Sequence, residues 1–524
     1  MKRNITYCLS LTIVLSTSVY AYEADSTAIY RNIDLDEVIV SVNRGNTRKI
    51  NSPQHIVTIP KDYIDYTNKQ SVADLLNESG QVLVQKSQQG GGSPMLRGFE
   101  ASRILLVVDG IRMNNLIYRS GHLQNCITVD QFALQNIEVL NGPASLNYGS
   151  DALGGVIAFS TIAPRRAREG QNRLFEGNAA VRYGSANQEG TAHIDLNYGT
   201  GRFASLTSFT FSSFGDLRSG KTRNPFLPDD DSYINCGIYV KPQNGADDQM
   251  IENDKPELQK RSGYIQYDIM QKFLYKPNSN ASHAVNFQLS NTNEFNRYDR
   301  LSVVQEKNGQ IQPKFAEWYY GPQFRLMTAY TYDGRHQLGA DNVKLTLAYQ
   351  NVKESRHDRQ FRREELYHTW ENVNMITLNT DWIKYIGSNK LHLGIDGMLS
   401  YLKSTAETEN VATGEISPNT TRYPDGDNSM HTIEAFATHV WTINDKLSLH
   451  DGLRLGYATT YSSVLDTEVF PFFGGKSQRK NNLTYSASLG LNYLPSKTWK
   501  VAFSASTAYR VPNIDNTSKV FDSK

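Results

Sequence analysis

The sequence lacks the features that mark an enzyme, a nucleic-acid-binding protein or a helical membrane protein. Beyond the N-terminus, no apolar run approaches the roughly 18 residues that a spanning helix needs. The net charge is only +1, and the charges are well mixed, so no basic surface for nucleic acid is indicated. The motifs His-Glu-x-x-His and Gly-x-Ser-x-Gly and the P-loop Gly-Lys-Ser/Thr are missing, which argues against an enzyme.

Cysteine is also scarce, with 3 residues in the chain. Cys8 lies in the N-terminal apolar stretch, and Cys126 and Cys236 are far apart without metal-type spacing. We interpret the latter two as incidental, although an oxidising compartment would permit them to pair.

Tyrosine is abundant, with 30 residues, and aromatic residues make up 11% of the chain. A polar, tyrosine-rich chain without helical spans fits a transmembrane β-barrel, because only one face of each strand meets lipid. It also fits a secreted all-β protein, and composition alone does not separate the two.

The N-terminus has the pattern of a signal peptide, predicted over residues 1–21. Lys2 and Arg3 supply the positive start, residues 8–19 are mostly apolar, and cleavage is expected after Ala21. The alternative is a short buried helix.

A polar segment, residues 22–50, follows and is interrupted by one patch that begins acidic and ends β-branched. Such a patch is suited to strand addition onto another protein's sheet edge, or it is the first strand of the next domain. The patch consists of Leu35, Asp36, Glu37, Val38, Ile39, Val40, Ser41 and Val42.

Residues 51–165 are predicted to form a compact α/β unit. Val72, Leu75 and Leu76 have helical spacing, with Ser71 as a candidate N-cap. The apolar run Ile104–Val108 predicts a strand, which the Asp109-Gly110 pair would end in a hairpin turn.

From residue 170 to residue 524 we predict a partial transmembrane β-barrel. Segments of about 10 residues alternate in polarity, as in Ile194, Leu196 and Tyr198. Short connections are predicted at 199–202, 277–280, 387–390, 444–446 and 495–497, and long ones at 213–262, 296–323, 354–372, 403–431 and 460–482. This regular segregation is typical of bacterial barrels, whose long loops are extracellular, and rare in soluble sandwiches. We count about thirteen strands, an odd number, and therefore expect a fragment of a longer barrel.

Several blocks follow one another in order: residues 35–42, Met95-Leu96-Arg97-Gly98-Phe99 with residues 103–110, and residues 137–157. Together they resemble TonB-dependent outer-membrane receptors, in which residues 35–42 look like the TonB box and the second block resembles the central strands of the plug. Residues 137–145 and 148–157 resemble the second signature block, although Asn141 stands where the family usually carries Arg or Lys. The resemblance implies a 22-stranded barrel with an α/β plug in its lumen.

The family's mechanism is active import across the bacterial outer membrane, and this is what the resemblance implies. TonB, energised with ExbB and ExbD, would pull on the box, and the barrel would contact outer-membrane lipid. Arg97, Arg103 and Arg112 are candidates for polar contacts between plug and lumen, or they are surface charges of the plug.

The end of the sequence suggests a cargo. Residues 506–513, with Tyr509, Arg510 and Pro512, resemble the Tyr/Phe-Arg-Ala-Pro box of haem and haemoglobin receptors, with Val511 in place of Ala. We therefore predict haem or a haemoprotein as ligand and no intrinsic cofactor. Similar Arg-x-Pro sequences occur in receptors for siderophores and cobalamin, so a ferric siderophore, cobalamin or another metal chelate is the alternative cargo. A proline-fixed junction between strand and loop explains the motif equally well.

Histidines give a second hint toward haem. His122 follows Gly121 in the predicted plug and is a candidate ligand for haem iron, because imidazole binds iron well. His357 and His368 are expected to be solvated in a long, charged loop. A non-transporting adhesin or docking barrel remains the alternative of another class.

Overall fold

The computed structural model describes residues 38–39, 47–119, 126–220, 237–465, 467, 475–496 and 499–519. The predicted signal peptide, His122 and Cys236 lie outside these residues. Among the helices of the described ranges, none is both long and apolar enough to cross a membrane.

The N-terminal α/β unit, called the plug below, comprises residues 47–161 of the described chain. Two 3-10 turns, Lys49–Asn51 and Ala101–Arg103, accompany its regular elements. With the preceding strand β1, these elements are β1 (Val38–Ile39), β2 (Thr47–Arg48), β3 (His55–Pro60), α1 (Lys61–Thr67), α2 (Val72–Glu78), β4 (Leu83–Gln85), β5 (Ser93–Leu96), β6 (Phe99–Glu100), β7 (Ile104–Val108), β8 (Ile111–Arg112), β9 (Leu134–Asn141), α3 (Ser145–Tyr148) and β10 (Gly155–Thr161).

The main sheet of the plug has the order β3-β9-β10-β7-β8, with β10 and β7 parallel and the other pairs antiparallel. All five residues of β7 are buried, as expected for a strand covered on both faces. Leu75 and Leu76 of α2 pack into the same core. The predicted cap is confirmed, because the Ser71 hydroxyl accepts a hydrogen bond from Asp74 N at 3.2 Å.

The remainder of the described chain is almost entirely β-structure. Its elements are β11 (Leu174–Gly184), β12 (Glu189–Gly199), β13 (Phe203–Phe214), β14 (Ile238–Lys241), β15 (Gln249–Glu252), β16 (Tyr264–Asn278), β17 (Ala281–Thr292), β18 (Phe295–Asn296), α4 (Tyr298–Leu301), β19 (Val304–Lys307), β20 (Gln310–Pro313), β21 (Phe315–Tyr320), β22 (Phe324–Arg335), β23 (Asn342–Gln360), β24 (Glu365–Ile386), β25 (Asn389–Asn410), β26 (Ile416–Pro418), β27 (Asn428–Asn444), β28 (Leu447–Ser463), β29 (Ser477–Tyr493), β30 (Val501–Ser506) and α5 (Ile514–Thr517).

Thirteen of these strands, counted over the described residues, follow one another in one antiparallel sheet, called the wall below. Their order is β11-β12-β13-β16-β17-β22-β23-β24-β25-β27-β28-β29-β30. The predicted number of strands and the predicted barrel-type sheet are thus confirmed. Short strands such as β18, β21 and β26 extend the sheet at the end with the long connections.

The wall has one apolar and one polar face. On β12, Ile194, Leu196 and Tyr198 are exposed, whereas Asp195 and Asn197 between them are buried against the plug side. Because successive side chains of a strand point to opposite faces, this alternation gives an outward band for lipid and an inward polar lining.

Three predicted long loops are too long, one of them 460–482, where β28 ends at Ser463 and β29 begins at Ser477. β23 continues to Gln360 and β24 begins at Glu365, so a short turn joins them where a loop over 354–372 was expected. Likewise, β25 runs to Asn410 instead of ending near residue 403. Polar side chains made these stretches look like loops. Backbone pairing between strands continues beyond the bilayer because it does not require apolar side chains.

Candidate functional site

The plug lies against the inward face of the wall, and Asp109 is one centre of contact. The turn after β7 holds Asp109 at a φ of 50°, in the left-handed region that an Asp-Gly hairpin turn uses. Its carboxylate accepts from the backbone N–H and the hydroxyl of Thr161 at 2.9 and 2.6 Å. Three wall side chains also contact it: Asn286 Nδ2 at 2.8 Å, Gln288 Nε2 at 3.0 Å and Lys272 Nζ at 3.1 Å.

The surroundings of Asp109 favour its ionised form. Burial alone raises the pKa of this carboxyl, but the charge of Lys272 and the hydrogen bonds from Thr161 outweigh burial, so the pKa is lowered. Asp109 is therefore a charged acceptor that joins the ends of β7 and β10 to strands β16 and β17 of the wall.

A second contact joins the plug to β23. Arg119 Nη1 lies 3.4 Å from Glu354 Oε2, and the two side chains are only 6% and 9% exposed. Glu371 is the cross-strand neighbour of Glu354 and is also buried. Burial lowers the pKa of Arg119, but Tyr423 and Glu354 outweigh that effect and raise it. One plug cation thus faces two wall carboxylates.

A third contact centres on Arg454 of β28, which is 1% exposed. Its Nε donates to Glu434 Oε2 at 2.9 Å and its Nη2 to Asp396 Oδ2 at 2.5 Å. Its Nη1 reaches the plug at Leu146 O, 3.4 Å away. The plug backbone approaches closely here, because a Cβ on Gly149 would lie 2.4 Å from Glu434 Oε2.

The segment that follows β30, residues 509–519, lies across the plug at the end with the long connections. The Tyr509 hydroxyl donates to Glu434 Oε1, and Tyr509 N donates to Ser145 Oγ at 3.3 Å. The Arg510 guanidinium donates to Asn516 Oδ1. Pro512 is exposed. Tyr509, Arg510 and Pro512, the predicted ligand-binding residues, therefore lie together in this segment. Tyr509 already forms hydrogen bonds to both the wall and the plug.

The same segment is anchored to the plug by two further hydrogen bonds. Val511 N donates to Ser150 Oγ at 3.0 Å, and Asn513 Nδ2 donates to Tyr118 O at 2.8 Å. Val511 and Ile514 are buried in an apolar cluster that plug and wall residues share. The segment thus contacts the loop that leads toward His122, a residue outside the described part.

Only Val38 and Ile39 of the predicted TonB-interaction patch are described, and they form β1. Their backbone pairs antiparallel with Arg48 and Thr47 of β2. Leu35, Asp36, Glu37, Val40, Ser41 and Val42 lie outside the described residues.

The three plug arginines that the sequence suggested have different surroundings. Arg97 and Arg103 are exposed. Arg112 Nη2 binds within the plug, to Asp151 Oδ2 at 3.0 Å and to Ser150 O at 3.1 Å. Sequence reasoning missed the residues that do join plug and wall. Among those residues, Asp109 does carry a sequence signal, the Asp-Gly pair, but this pair predicts a turn and not a contact with the wall.

The expectation that His357 and His368 are solvated loop residues is wrong. They are cross-strand partners in β23 and β24, only 4% and 8% exposed, with their Nδ1 atoms 2.5 Å apart. His368 stacks on Trp370 with ring centroids 5.3 Å apart. His357 shares the outward face with Tyr349, eight residues earlier, so the pair does not point into the lumen.

The gap between the plug sheet and strands β24 to β28 is small. A cavity of about 30 Å³ lies there, lined by Arg112, Tyr148, Asp396, Glu434 and Arg454 among others. It has room for about two water molecules. Small-molecule pockets typically measure about 300–1,000 Å³. A ligand of that size does not fit in this cavity.

No group of three or more His, Cys, Asp or Glu side chains in the described ranges is arranged to hold a metal ion. Cys126 is a free, buried thiol whose Sγ donates to Gly92 O at 3.2 Å.

Comparison with known families agrees with this architecture. The "TonB-dependent Receptor Plug Domain" matches residues 48–156, and the "TonB dependent receptor-like, beta-barrel" family matches residues 258–521. The chain belongs to the TonB-dependent receptors. It is accordingly a protein of the bacterial outer membrane, in a family of transport receptors.

Two curated relatives of this receptor are a hemin receptor of Yersinia enterocolitica and the vitamin B12 transporter BtuB of Vibrio vulnificus. The first is 28% identical over 238 residues, which are 43% of this chain and 32% of the relative. The second is 34% identical over 146 residues, 27% of this chain and 23% of the relative. The chain thus spans about a third or less of the curated relatives that it matches.

Among solved structures, the Serratia marcescens hemophore receptor HasR, in complex with its hemophore HasA and heme, has a TM-score of 0.60 with this receptor. Its sequence identity is 13%, and the match covers 89% of this chain and 65% of HasR. At this identity the likeness supports the fold alone.

Proposed function

We propose that this receptor carries out TonB-dependent active transport across the outer membrane, with haem from haemin or haemoproteins as its cargo. The observation that carries the transport proposal is the narrow seam between plug and wall. The cavity of about 30 Å³ in this seam is far too small for such a cargo, so passage there requires the plug to move.

The contacts that hold the plug are suited to displacement. Beside the apolar clusters that plug and wall share, many of them are hydrogen bonds and ion pairs, such as those of Asp109 and Arg119, which water molecules can replace as the plug moves. A dry apolar interface would lose its contacts without replacement. TonB, energised by ExbB and ExbD, is the proposed source of the work.

Residues 35–42 are proposed as the segment that TonB binds by strand addition. The pairing of Val38–Ile39 with Thr47–Arg48 supports this, because it is only two residues long and a short isolated strand pair is marginally stable in water. These backbone groups are therefore available for exchange with a strand of TonB.

For haem, the proposal rests on the resemblance of residues 506–513 to the haem-receptor box and on the similarity to the hemin receptor. Tyr509, Arg510 and Pro512 are proposed to contact the ligand above the plug, and His122 is proposed to ligate its iron. Haem is here a cargo and not an intrinsic cofactor. Similarity to the vitamin B12 transporter keeps cobalamin as the second candidate, beside ferric siderophores.

The transport proposal is tested by deleting residues 35–42 and measuring haemin uptake by cells that depend on this receptor for iron. Uptake should be lost while haemin binding at the cell surface persists. Deleting the eight residues 22–29 instead is the matched control. Unimpaired uptake without residues 35–42 would refute energised transport and favour a surface adhesin or docking barrel.

The cargo proposal is tested by titrating the purified receptor with haemin and following the Soret band. The wild type should shift the band, and His122→Ala should weaken that shift. His336→Ala, a change of an exposed histidine between β22 and β23, is the control. Absence of a shift in the wild type, with saturable binding of cyanocobalamin, would replace haem by cobalamin.

A further inference from the structure

A cleft of about 500 Å³ opens on the outward face of the wall, near the long connections. It lies on the side opposite the plug. The outward-facing residues that line it include Phe324, Lys353, Trp370, Asn372, Lys403 and Thr405. Glu354 and Glu371 also line it, but alternation along their strands turns their side chains inward, where Glu354 meets Arg119.

Four of the lining residues form one row across adjacent strands. Phe324 is the direct partner of Lys353, Lys353 of Asn372, and Asn372 of Lys403. Since neighbouring strands are about 4.8 Å apart, the two lysine backbones stand about 10 Å from each other. Both lysines are exposed, and Lys353 Nζ lies 5.5 Å from the centre of the Phe324 ring. Their flexible stems allow both ammonium groups to reach one anion.

The row stands just beyond the lipid-facing band. Tyr349, Ile376 and Leu399 are outward residues of the same three strands and are 40%, 44% and 45% exposed. Lys353 follows Tyr349 by four residues, which is about 13 Å along the strand. With a strand tilt of about 45°, this is about 9 Å along the membrane normal, the level of lipid headgroups.

We propose that this cleft binds the phosphorylated headgroup of a lipid in the outer leaflet. Lys353 and Lys403 contact the phosphate oxygens, Asn372 donates from between them, and Phe324 and Trp370 pack against the first methylenes of the acyl chains. Continuity with the apolar band favours a lipid over a soluble anion, because the acyl chains would run down the faces of Tyr349 and Ile376.

The experiment uses the receptor purified in detergent, with diphosphoryl lipid A added, and native mass spectrometry to measure bound lipid. Replacing both lysines, Lys353→Gln with Lys403→Gln, should lower lipid A occupancy about tenfold or more. Lys307→Gln with Lys446→Gln removes two exposed lysines elsewhere and should leave occupancy unchanged. Lys353→Arg with Lys403→Arg should retain binding.

Three outcomes would overturn the proposal. One is equal lipid A occupancy in the wild type and the Gln pair, and another is an equal loss in the control pair. The third concerns the source of the anion. Lipid A should outcompete millimolar inorganic phosphate, so displacement of lipid A by phosphate would indicate a simple anion site. Phosphatidylcholine, which is zwitterionic, should not compete. Heat-modifiable migration of each variant on gels confirms that its barrel is folded.

Discussion

Arg119 of the plug and Glu354 of β23 form an ion pair that is almost completely shielded from solvent, with Nη1 and Oε2 3.4 Å apart. Glu371 lies beside Glu354 on the neighbouring strand, so the arginine faces two carboxylates. Because water is excluded from both partners, each charge depends on the other for its stabilisation. This ion pair therefore stabilises the plug in its position against the wall.

Replacing Arg119 with Met should strongly destabilise the seated plug. Breaking a buried pair from one side typically costs about 3–5 kcal/mol, because the partner charge stays buried without compensation. Protease accessibility of the plug and the thermal unfolding midpoint would measure the effect. Arg103→Met, at an exposed plug arginine, is the control and should change neither. Equal effects of the two variants would contradict a structural role for the pair.

A change of both partners provides a second check on the same contact. Arg119→Met combined with Glu354→Leu should be less destabilising than the sum of the single changes, because no unpaired charge remains. Strict additivity in this double-mutant cycle would mean that the two side chains do not interact.

The carboxylate of Asp109 should make plug docking sensitive to acid. Its pKa is lowered in the folded protein, because the charge of Lys272 and the hydrogen bonds from Thr161 outweigh burial. Stability from this group is therefore fully present above the unfolded pKa, about 3.9, and is lost as the pH falls through the lower folded value.

Asp109→Asn should consequently lower the unfolding temperature at pH 7 and flatten its decline between about pH 4 and pH 2. Asp62→Asn, at an exposed residue of α1, serves as the control. Melting curves in detergent at a series of pH values would measure both. A wild-type decline in acid that Asp109→Asn leaves unchanged would assign the acid sensitivity to other groups.

The sequence was sufficient to predict the elements whose residues carry a local signal. Ile104–Val108 is uniformly apolar because β7 is buried on both faces, and the Asp109-Gly110 pair ends it in a turn. Ile194, Leu196 and Tyr198 alternate with polar residues because lipid meets only one face of β12. The number of wall strands followed from this alternation.

Contacts between plug and wall could not be predicted, because they join residues far apart in the chain. Nothing near Arg119 in the sequence indicates Glu354, which is 235 residues away. The burial of His357 and His368 was missed for a related reason. Their strands continue past the bilayer, where the apolar alternation that reveals a strand no longer applies.

Cys126 should resist alkylation in the folded receptor. Burial raises the pKa of its thiol to about 12, so at pH 8 the reactive thiolate is scarce. We expect no iodoacetamide adduct on Cys126 in native detergent solution and full modification after unfolding. The measurement uses the Cys236→Ser variant, so that peptide mass spectrometry detects modification of Cys126 without interference from Cys236. A wild-type disulfide to Cys236, seen as a crosslinked peptide, would contradict the free thiol.

Gly149 should be intolerant of any side chain because the plug backbone passes close to Glu434 of the wall. A Cβ there would lie 2.4 Å from Glu434 Oε2 and 3.1 Å from Arg454 Nη2, and its φ of 75° is already unfavourable for alanine. Gly98 has a similar φ of 80°, but a Cβ added to it would meet nothing within 4 Å. Both alanine variants incur backbone strain, about 1–3 kcal/mol and larger at Gly149, whose ψ is −148°, but only Gly149→Ala disturbs the Glu434–Arg454 pair. Gly149→Ala should therefore lower the unfolding temperature and expose the plug to protease much more than Gly98→Ala does. If the two variants behaved alike, the close approach of plug and wall at α3 would be refuted.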